Sequence, residues 1–153
     1  MRELELVATD KRRYLDLLLL ADEQPELIEA YLDRGDLWML RRDDEPIGVC
    51  VVTDEGGGAF EVQNLAVRPD CQRHGHGAWM LAEVERRYAG RARTWWVGTG
   101  DSPITVAFYQ RCGFQIDHVA PRGIVDAYDH PIYEAGVQLI DKVHLRRDLP
   151  ATG

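Results

Sequence analysis

The sequence has little cysteine, and its three cysteines, Cys50, Cys71 and Cys112, lie far apart. An odd and scattered set excludes a disulfide framework and a Cys-x-x-Cys metal motif as the basis of the fold. Chains of this kind are typical of a reducing compartment, so we expect a cytoplasmic protein.

The sequence also lacks a long hydrophobic run. Its longest apolar stretch, from Leu17 to Ala21, is far shorter than the roughly 20 residues that span a membrane. The first residues, Met1 to Glu5, are charged and do not resemble an export signal. We therefore predict no membrane segment.

Positive charge is scarce, with 18 lysines and arginines against 26 aspartates and glutamates and a formal net charge of −8. Such a surface does not suit a phosphate backbone, so we predict no nucleic-acid partner. The negative field favours encounter with a cationic substrate such as an amine, and it equally serves to keep the protein in solution. Charge alone does not choose between these two roles.

The chain is long enough for one domain, residues 1–153, with a substantial core. Period-two and helical patterns interleave along it and predict a mixed α/β class, with a central, mostly antiparallel sheet flanked by helices. The predicted strands cover residues 4–8, 37–41, 47–53, 59–67, 94–97, 114–120 and 137–145. Residues 121–136 are predicted to form a loop.

The most informative stretch is a turn between a predicted strand and a predicted helix. The strand is Ala59–Val67, and residues 72–78 lead from it into the helix. The first turn of a helix offers unpaired backbone N–H groups and a partial positive charge. Gly75 and Gly77 carry no Cβ atom that would keep a phosphate away, and Arg73 adds a charged donor. The turn is therefore predicted to bind a phosphate or pyrophosphate.

Two other phosphate-binding motifs do not fit this turn. A P-loop ends in Gly-Lys-Ser/Thr, whereas Gly77 is followed by Ala78 and Trp79. A dinucleotide fingerprint needs a third glycine, and Met80 stands at that position. A plain tight turn at the two glycines remains the alternative.

The same turn resembles a motif of a known family. Residues Gln72-x-x-Gly75-x-Gly77-Ala78, after a strand that ends in Asn64-Leu65-Ala66-Val67, resemble the Q/R-x-x-G-x-G/A motif of the GNAT superfamily of acyl-CoA-dependent N-acetyltransferases. The downstream segment Phe108-Tyr109-Gln110-Arg111-Cys112-Gly113-Phe114 resembles that family's aromatic-Tyr-x-K/R-x-G-F segment. The resemblance covers nearly the whole chain and implies a GNAT-like fold with acetyl-CoA as co-substrate.

The resemblance also implies which residues hold the cofactor. Backbone groups of Leu65, Ala66 and Val67 would lie along the pantetheine arm. The turn that would hold the pyrophosphate consists of Gln72, Arg73, His74, Gly75, His76, Gly77 and Ala78. Ser102 stands where many family members have an asparagine that contacts the cofactor arm, and it equally suits a helix cap. The two histidines have no carboxylate or cysteine partner nearby, so we predict no metal site.

Two residues are candidates for proton transfer. Tyr109 stands at the position of the family's general acid, and its alternative role is that of a buried core aromatic. Glu61 resembles the base glutamate of some branches of the family, since it lies six residues before Val67 on the same strand parity. Burial would raise the pKa of such a carboxylate, and a solvated or ion-paired residue at a sheet edge is the alternative.

The resemblance implies direct acetyl transfer to a primary amine. Asp126, Asp129 and Glu134 in the late loop favour a small cationic acceptor. A protein N-terminus or lysine, a longer acyl chain, and a catalytically silent CoA-binding module remain alternatives. Sheet edges and exposed aromatics such as Trp79 or Trp95 suggest a homodimer.

Overall fold

The structure is a computed structural model that describes residues 1–150. It contains two compact units, the first from Met1 to Ala92 and the second beginning at Arg93. Among the described residues, no helix has the length and apolar character that a membrane crossing requires.

The first unit contains four strands that pair in sequence order. They are β1 (Arg2–Val7), β2 (Asp36–Arg42), β3 (Glu45–Gly56) and β4 (Ala59–Val67), and each is antiparallel to its neighbour. The register between β3 and β4 shifts twice, and at the shift in the middle of β4 Val51 pairs with Asn64 whereas Val52 pairs with Val62. Gln63 is thus an extra residue in β4, a bulge of the kind that bends and twists a strand.

Helices cover this four-stranded part. They are a 3-10 helix (Lys11–Tyr14), α1 (Leu15–Ala21), α2 (Pro25–Leu32), a second 3-10 helix (Pro69–Cys71) and α3 (His76–Arg86). Leu18, Ile28 and Leu32 on the first two α-helices are fully buried, as are Val49 and Val51 on β3. This apolar core packs α1 and α2 against the strands, and it includes Ala66 of β4.

The second unit alternates strands and helices. Its elements are β5 (Thr94–Gly100), α4 (Pro103–Arg111), β6 (Gln115–Ala120), α5 (Gly123–Ala127), β7 (Ile132–Glu134), β8 (Val137–Leu139) and β9 (Lys142–Asp148). β9 is antiparallel to β5 on one side and to β6 on the other. The short strands β7 and β8 form a separate hairpin.

Several details of the second unit differ from the prediction. The expected strand 137–145 is two strands, because Ile140 and Asp141 make hydrogen bonds elsewhere. The Ile140 amide donates to Asp101 Oδ1 at 3.0 Å, and its carbonyl accepts from the amides of Ile124 and Val125. Asp141 Oδ1 accepts from the Arg122 amide at 2.8 Å. These bonds also anchor α5, a helix in a segment that was predicted to be loop.

Trp95 is fully buried, so the expectation that it is exposed is wrong. It lies on β5, which continues to Gly100 rather than breaking at Gly98 as the sequence suggested. The two glycines have a packing reason. A Cβ atom at Gly98 would stand 2.5 Å from Lys142 Cε, and one at Gly100 would stand 2.5 Å from Leu139 Cδ1.

Candidate active site

β4 presents two different faces along its length. Phe60, Val62, Asn64 and Ala66 are buried, and the residues between them are half-buried. The bulge at Gln63 changes the side of the sheet to which the following residues point. Glu61 pairs with Thr53 and Ala66 pairs with Val49, two residues of one face of β3, so Glu61 shares a face with Ala66 and not with Leu65 and Val67. The shared strand parity of Glu61 and Val67 that suggested Glu61 as a base is therefore wrong, because the extra residue at Gln63 lies between them.

The turn after β4 is tied back to the strand. Gln72 Nε2 donates a hydrogen bond of 2.9 Å to the Val67 carbonyl. Arg68 adds a bidentate pair with Asp70, at 2.7 Å and 3.1 Å. These contacts hold the strand end and the turn together, so the backbone of the turn begins from a fixed point.

The turn then reverses through left-handed backbone conformations. Arg73 has φ 66° and Gly75 has φ 78°, and Gly75 is the N-cap residue of α3. No atom lies within 4 Å of the place where a Cβ of Gly75 would stand. The space in front of the first turn of α3 is therefore clear.

The chemistry of this helix start suits an anionic group. Gly75 has no side chain to cap α3, and the first turn of the helix contains no acidic residue. Its backbone N–H groups thus lack a side-chain acceptor and carry the positive end of the helix dipole. Gln72, Arg73, His74 and Gly75 are exposed, which leaves the turn accessible. The residues present fit a pyrophosphate.

Sequence reasoning missed two arginines near this turn. Arg2 on β1 and Arg42 on β2 line a pocket together with Met1, His74 and His76. The pKa of His76 is lowered by burial, and Arg2, Arg42 and His74 lower it further. No local pattern could have signalled these arginines, since they are distant from the turn in sequence and reach it only through strand pairing.

In the second unit, Ser102 acts as the cap of α4. Its Oγ accepts a hydrogen bond of 3.3 Å from the Ile104 amide, and the residue is 4% exposed. Pro103 follows it at the first helical position. One of the two predicted roles of Ser102 is thus observed directly.

Tyr109 lies near the end of α4 in an aromatic environment. Its ring meets Phe108 and Phe114 edge to face, with centroids 5.1 Å and 5.8 Å away, and the residue is 6% exposed. Its carbonyl accepts the amide of Phe114 at 3.0 Å, just after Gly113, whose φ of 98° ends the helix. Packing therefore fixes the orientation of the phenol.

The late segment of the second unit forms a cavity of about 220 Å³. Its lining is mostly apolar and includes one carboxylate: Ile124, Val125, Tyr128, Asp129, His130, Pro131, Ile132, Gln138 and Leu139. Of the three predicted acidic residues only Asp129 belongs to this lining. Asp126 pairs with Arg122 at 3.4 Å, and Glu134 accepts a hydrogen bond of 2.6 Å from Thr105 Oγ1.

Comparison with known proteins agrees with the motifs. Residues 33–116 match the sequence model of the acetyltransferase (GNAT) domain. The chain belongs to the GNAT family, and it is an acetyl-CoA-dependent N-acetyltransferase. The predicted family, the predicted enzyme class and the predicted co-substrate are confirmed.

The relatives include curated and structurally solved proteins. The uncharacterized N-acetyltransferase YvbK of Bacillus subtilis (strain 168) is 35% identical over 136 residues, which are 88% of each chain. A GNAT family acetyltransferase from Elizabethkingia anophelis with acetyl-CoA bound is 30% identical, with a TM-score of 0.91 over 97% of this chain and 98% of that one. A Bacillus subtilis acetyltransferase in complex with CoA is 34% identical, with a TM-score of 0.88 over 98% and 100%. The predicted fold class is confirmed by these similarities.

Proposed function

We propose that this N-acetyltransferase moves the acetyl group directly from acetyl-CoA to the primary amine of a small cationic acceptor. The observation that carries the proposal is the cavity of the second unit, whose mostly apolar lining contains one carboxylate, Asp129, paired with His130 at 2.6 Å. A protonated amine is attracted by such a carboxylate, and the apolar wall suits the carbon skeleton that bears it.

The cofactor is assigned to the motif residues. The backbone of Leu65, Ala66 and Val67 is proposed to hold the pantetheine arm by hydrogen bonds. The pyrophosphate is assigned to the turn from Gln72 to Ala78, namely Gln72, Arg73, His74, Gly75, His76, Gly77 and Ala78. The clear space at Gly75 and the uncapped first turn of α3 support this assignment. Ser102 is proposed to contact the cofactor arm in addition to capping α4.

Tyr109 is proposed to be the general acid. A phenol carries its proton at neutral pH, and transfer from Tyr109 Oη to the departing sulfur would avoid expelling a bare thiolate. The edge-to-face contacts with Phe108 and Phe114 support this role, because they hold the ring in one orientation.

Glu61 is proposed to be the base that takes a proton from the acceptor amine. Its position in β4 supports this role, since it is half-buried and shares a face with Ala66, one of the residues assigned to the cofactor. Partial removal from water makes a carboxylate a stronger proton acceptor. The acceptor amine must lose its proton before it attacks the thioester, and Glu61 is the group proposed to take that proton.

The acceptor proposal is tested by comparing Asp129, which lines the cavity, with Asp126, which lies three residues earlier and does not line it. With a panel of small diamines and amino sugars, Asp129→Asn should raise KM about tenfold, because the ammonium loses its partner. Asp126→Asn should leave KM unchanged, since Asp126 lies outside the cavity lining and pairs with Arg122. Thiol release provides the rate. Equal KM values in both variants would remove Asp129 from acceptor recognition.

A protein N-terminus or lysine is the second candidate acceptor. The cavity favours the small molecule, since about 220 Å³ is too little for several peptide side chains. Turnover of unstructured peptides at rates above those of every small amine would reverse this preference.

The chain is further proposed to act as a single N-acetyltransferase domain in the cytoplasm and to form a homodimer. Its cysteines form no disulfide within residues 1–150, which agrees with a reducing compartment. Ile116 and Val119 on β6 are 49% and 46% exposed, which suits a contact between copies. Light scattering that gives the monomer mass at tens of micromolar protein would reject the dimer.

A further inference from the structure

The first unit contains a pocket whose lining is almost entirely basic. The pocket has a volume of about 350 Å³ and is lined by Met1, Arg2, Arg42, His74 and His76. Two of these side chains are guanidinium groups, which stay charged at all physiological pH values. The pocket also lies at the start of α3, where the helix dipole adds partial positive charge.

His76 is the residue that indicates a ligand-binding role for this pocket. It is the first residue of α3, it lines the pocket, and it is only 6% exposed. Neither of its ring nitrogens has a hydrogen-bond partner. Buried polar groups are rarely left unpaired, because a buried donor or acceptor without a partner has lost its hydrogen bonds to water and gained none in return. A ligand with acceptor oxygens would supply the partner.

The two arginines are positioned to share such a ligand. The Arg2 guanidinium stacks over the Trp79 ring at 4.6 Å, which holds it against the first turn of α3. Arg42 is exposed, and its nearest carboxylate, Asp43, is 3.9 Å from Nε. Asp43 also accepts a hydrogen bond of 3.0 Å from the Met1 amino group. The carboxylate is therefore shared, and the positive charge of the pocket is not cancelled.

We propose that this pocket binds a phosphate monoester. A phosphate monoester carries a charge near −2 and three acceptor oxygens, which match two guanidinium forks and an imidazole donor. The pocket shares His74 and His76 with the turn assigned to the pyrophosphate, and Arg2 and Arg42 extend it to β1 and β2. Two sources share this chemistry: the 3′-phosphate of CoA, and a separate phosphorylated small molecule. Binding of the 3′-phosphate of CoA rests on the proposed function, in which the turn from Gln72 to Ala78 holds the pyrophosphate of the same cofactor.

The first arm of the test is calorimetric titration with CoA and with 3′-dephospho-CoA. If the 3′-phosphate occupies the pocket, the wild-type protein should bind CoA about tenfold or more tightly than dephospho-CoA. Arg42→Gln should reduce this ratio severalfold and leave the affinity for dephospho-CoA unchanged, which also shows that the variant is folded. Arg86→Gln is the matched control, because Arg86 lies on α3 outside the pocket, is 76% exposed and pairs with Glu83.

The second arm uses inorganic phosphate and the ring resonances of His76, with dephospho-CoA present at saturation. If the pocket serves a separate phosphate compound, phosphate should shift these resonances saturably, and Arg42→Gln should weaken the effect at least fivefold. A CoA preference that survives Arg42→Gln, or the absence of both a CoA preference and a saturable phosphate effect, would overturn the proposal. Failure of dephospho-CoA to bind at all would instead contradict the pyrophosphate turn, and the phosphate titration would still be readable.

Discussion

Individual polar residues connect β4 to the helices that cover it. Asn64 Nδ2 donates to the Leu18 carbonyl at 2.9 Å and to Tyr31 Oη at 3.1 Å. Tyr31 Oη in turn donates to Asp22 Oδ2 at 3.0 Å. Burial raises the pKa of Tyr31, so its hydroxyl keeps the proton that it donates. One asparagine therefore fixes α1 and α2 relative to the strand that carries Glu61.

At the same scale, the role of Tyr109 leads to a prediction. Tyr109→Phe should lower kcat by about 10²-fold, because the general acid is lost while the ring still packs against Phe108 and Phe114. The KM for acetyl-CoA should stay near its wild-type value. Steady-state thiol release measures both parameters, and Tyr133→Phe is the control, since Tyr133 is 58% exposed. Wild-type turnover in Tyr109→Phe would reject Tyr109 as the acid.

At the scale of elements, the sequence predicts those strand and helix boundaries that are set by residues near them in the chain. The strand Ala59–Val67 has the predicted bounds, because alternation and the following Pro69 are local signals. The start of α4 is also local, since Ser102 caps it. α5 and the break at Ile140 depend on hydrogen bonds between distant segments, so no local pattern contains them. Arg2 and Arg42 are not in the predicted site because only the pairing of distant strands brings them near the turn.

The turn before α3 can be tested as an element by replacing its N-cap glycine. Gly75→Glu should abolish acetyl-CoA binding in calorimetry, because it adds a negative charge and bulk where the pyrophosphate is proposed to lie. Gly57→Glu is a matched control in the turn between β3 and β4. Gly57 has φ 64° and open space around its Cβ position, so the backbone strain and charge change are similar.

Gly57→Glu should keep wild-type affinity for acetyl-CoA. Loss of binding in both variants would indicate general destabilisation, and thermal melts of the two proteins would show it. Normal binding in Gly75→Glu would mean that the pyrophosphate lies elsewhere.

At the scale of the whole molecule, two histidines, one in each unit, make stability depend on pH: His76 is buried and His144 is half-buried. Burial lowers the pKa of His76, assisted by Arg2 and Arg42. Burial also lowers the pKa of His144, assisted by Lys142 and by His118, whose ring stacks on it with centroids 4.5 Å apart. In the unfolded chain both groups return to a pKa of about 6.5 and bind protons more readily than in the folded state.

The sign of the resulting pH dependence follows from linkage. Because the folded pKa values are lowered, the stability contributed by the neutral histidines is fully present above about pH 6.5 and is lost as the pH falls through the folded values. Urea unfolding in phosphate-free buffer should therefore give a lower free energy of unfolding at pH 5.5 than at pH 7.5. Asp33, Asp70 and Asp148 do not contribute in this window, since their arginine partners lower their pKa values below the ordinary carboxylate range.

The double variant His76→Gln, His144→Gln separates the histidines from every other titrating group. Its free energy of unfolding should change less between pH 7.5 and 5.5 than that of the wild-type protein, because neither glutamine takes up a proton. An equal slope in the wild-type protein and the double variant would show that groups other than these two histidines set the acid sensitivity of the fold.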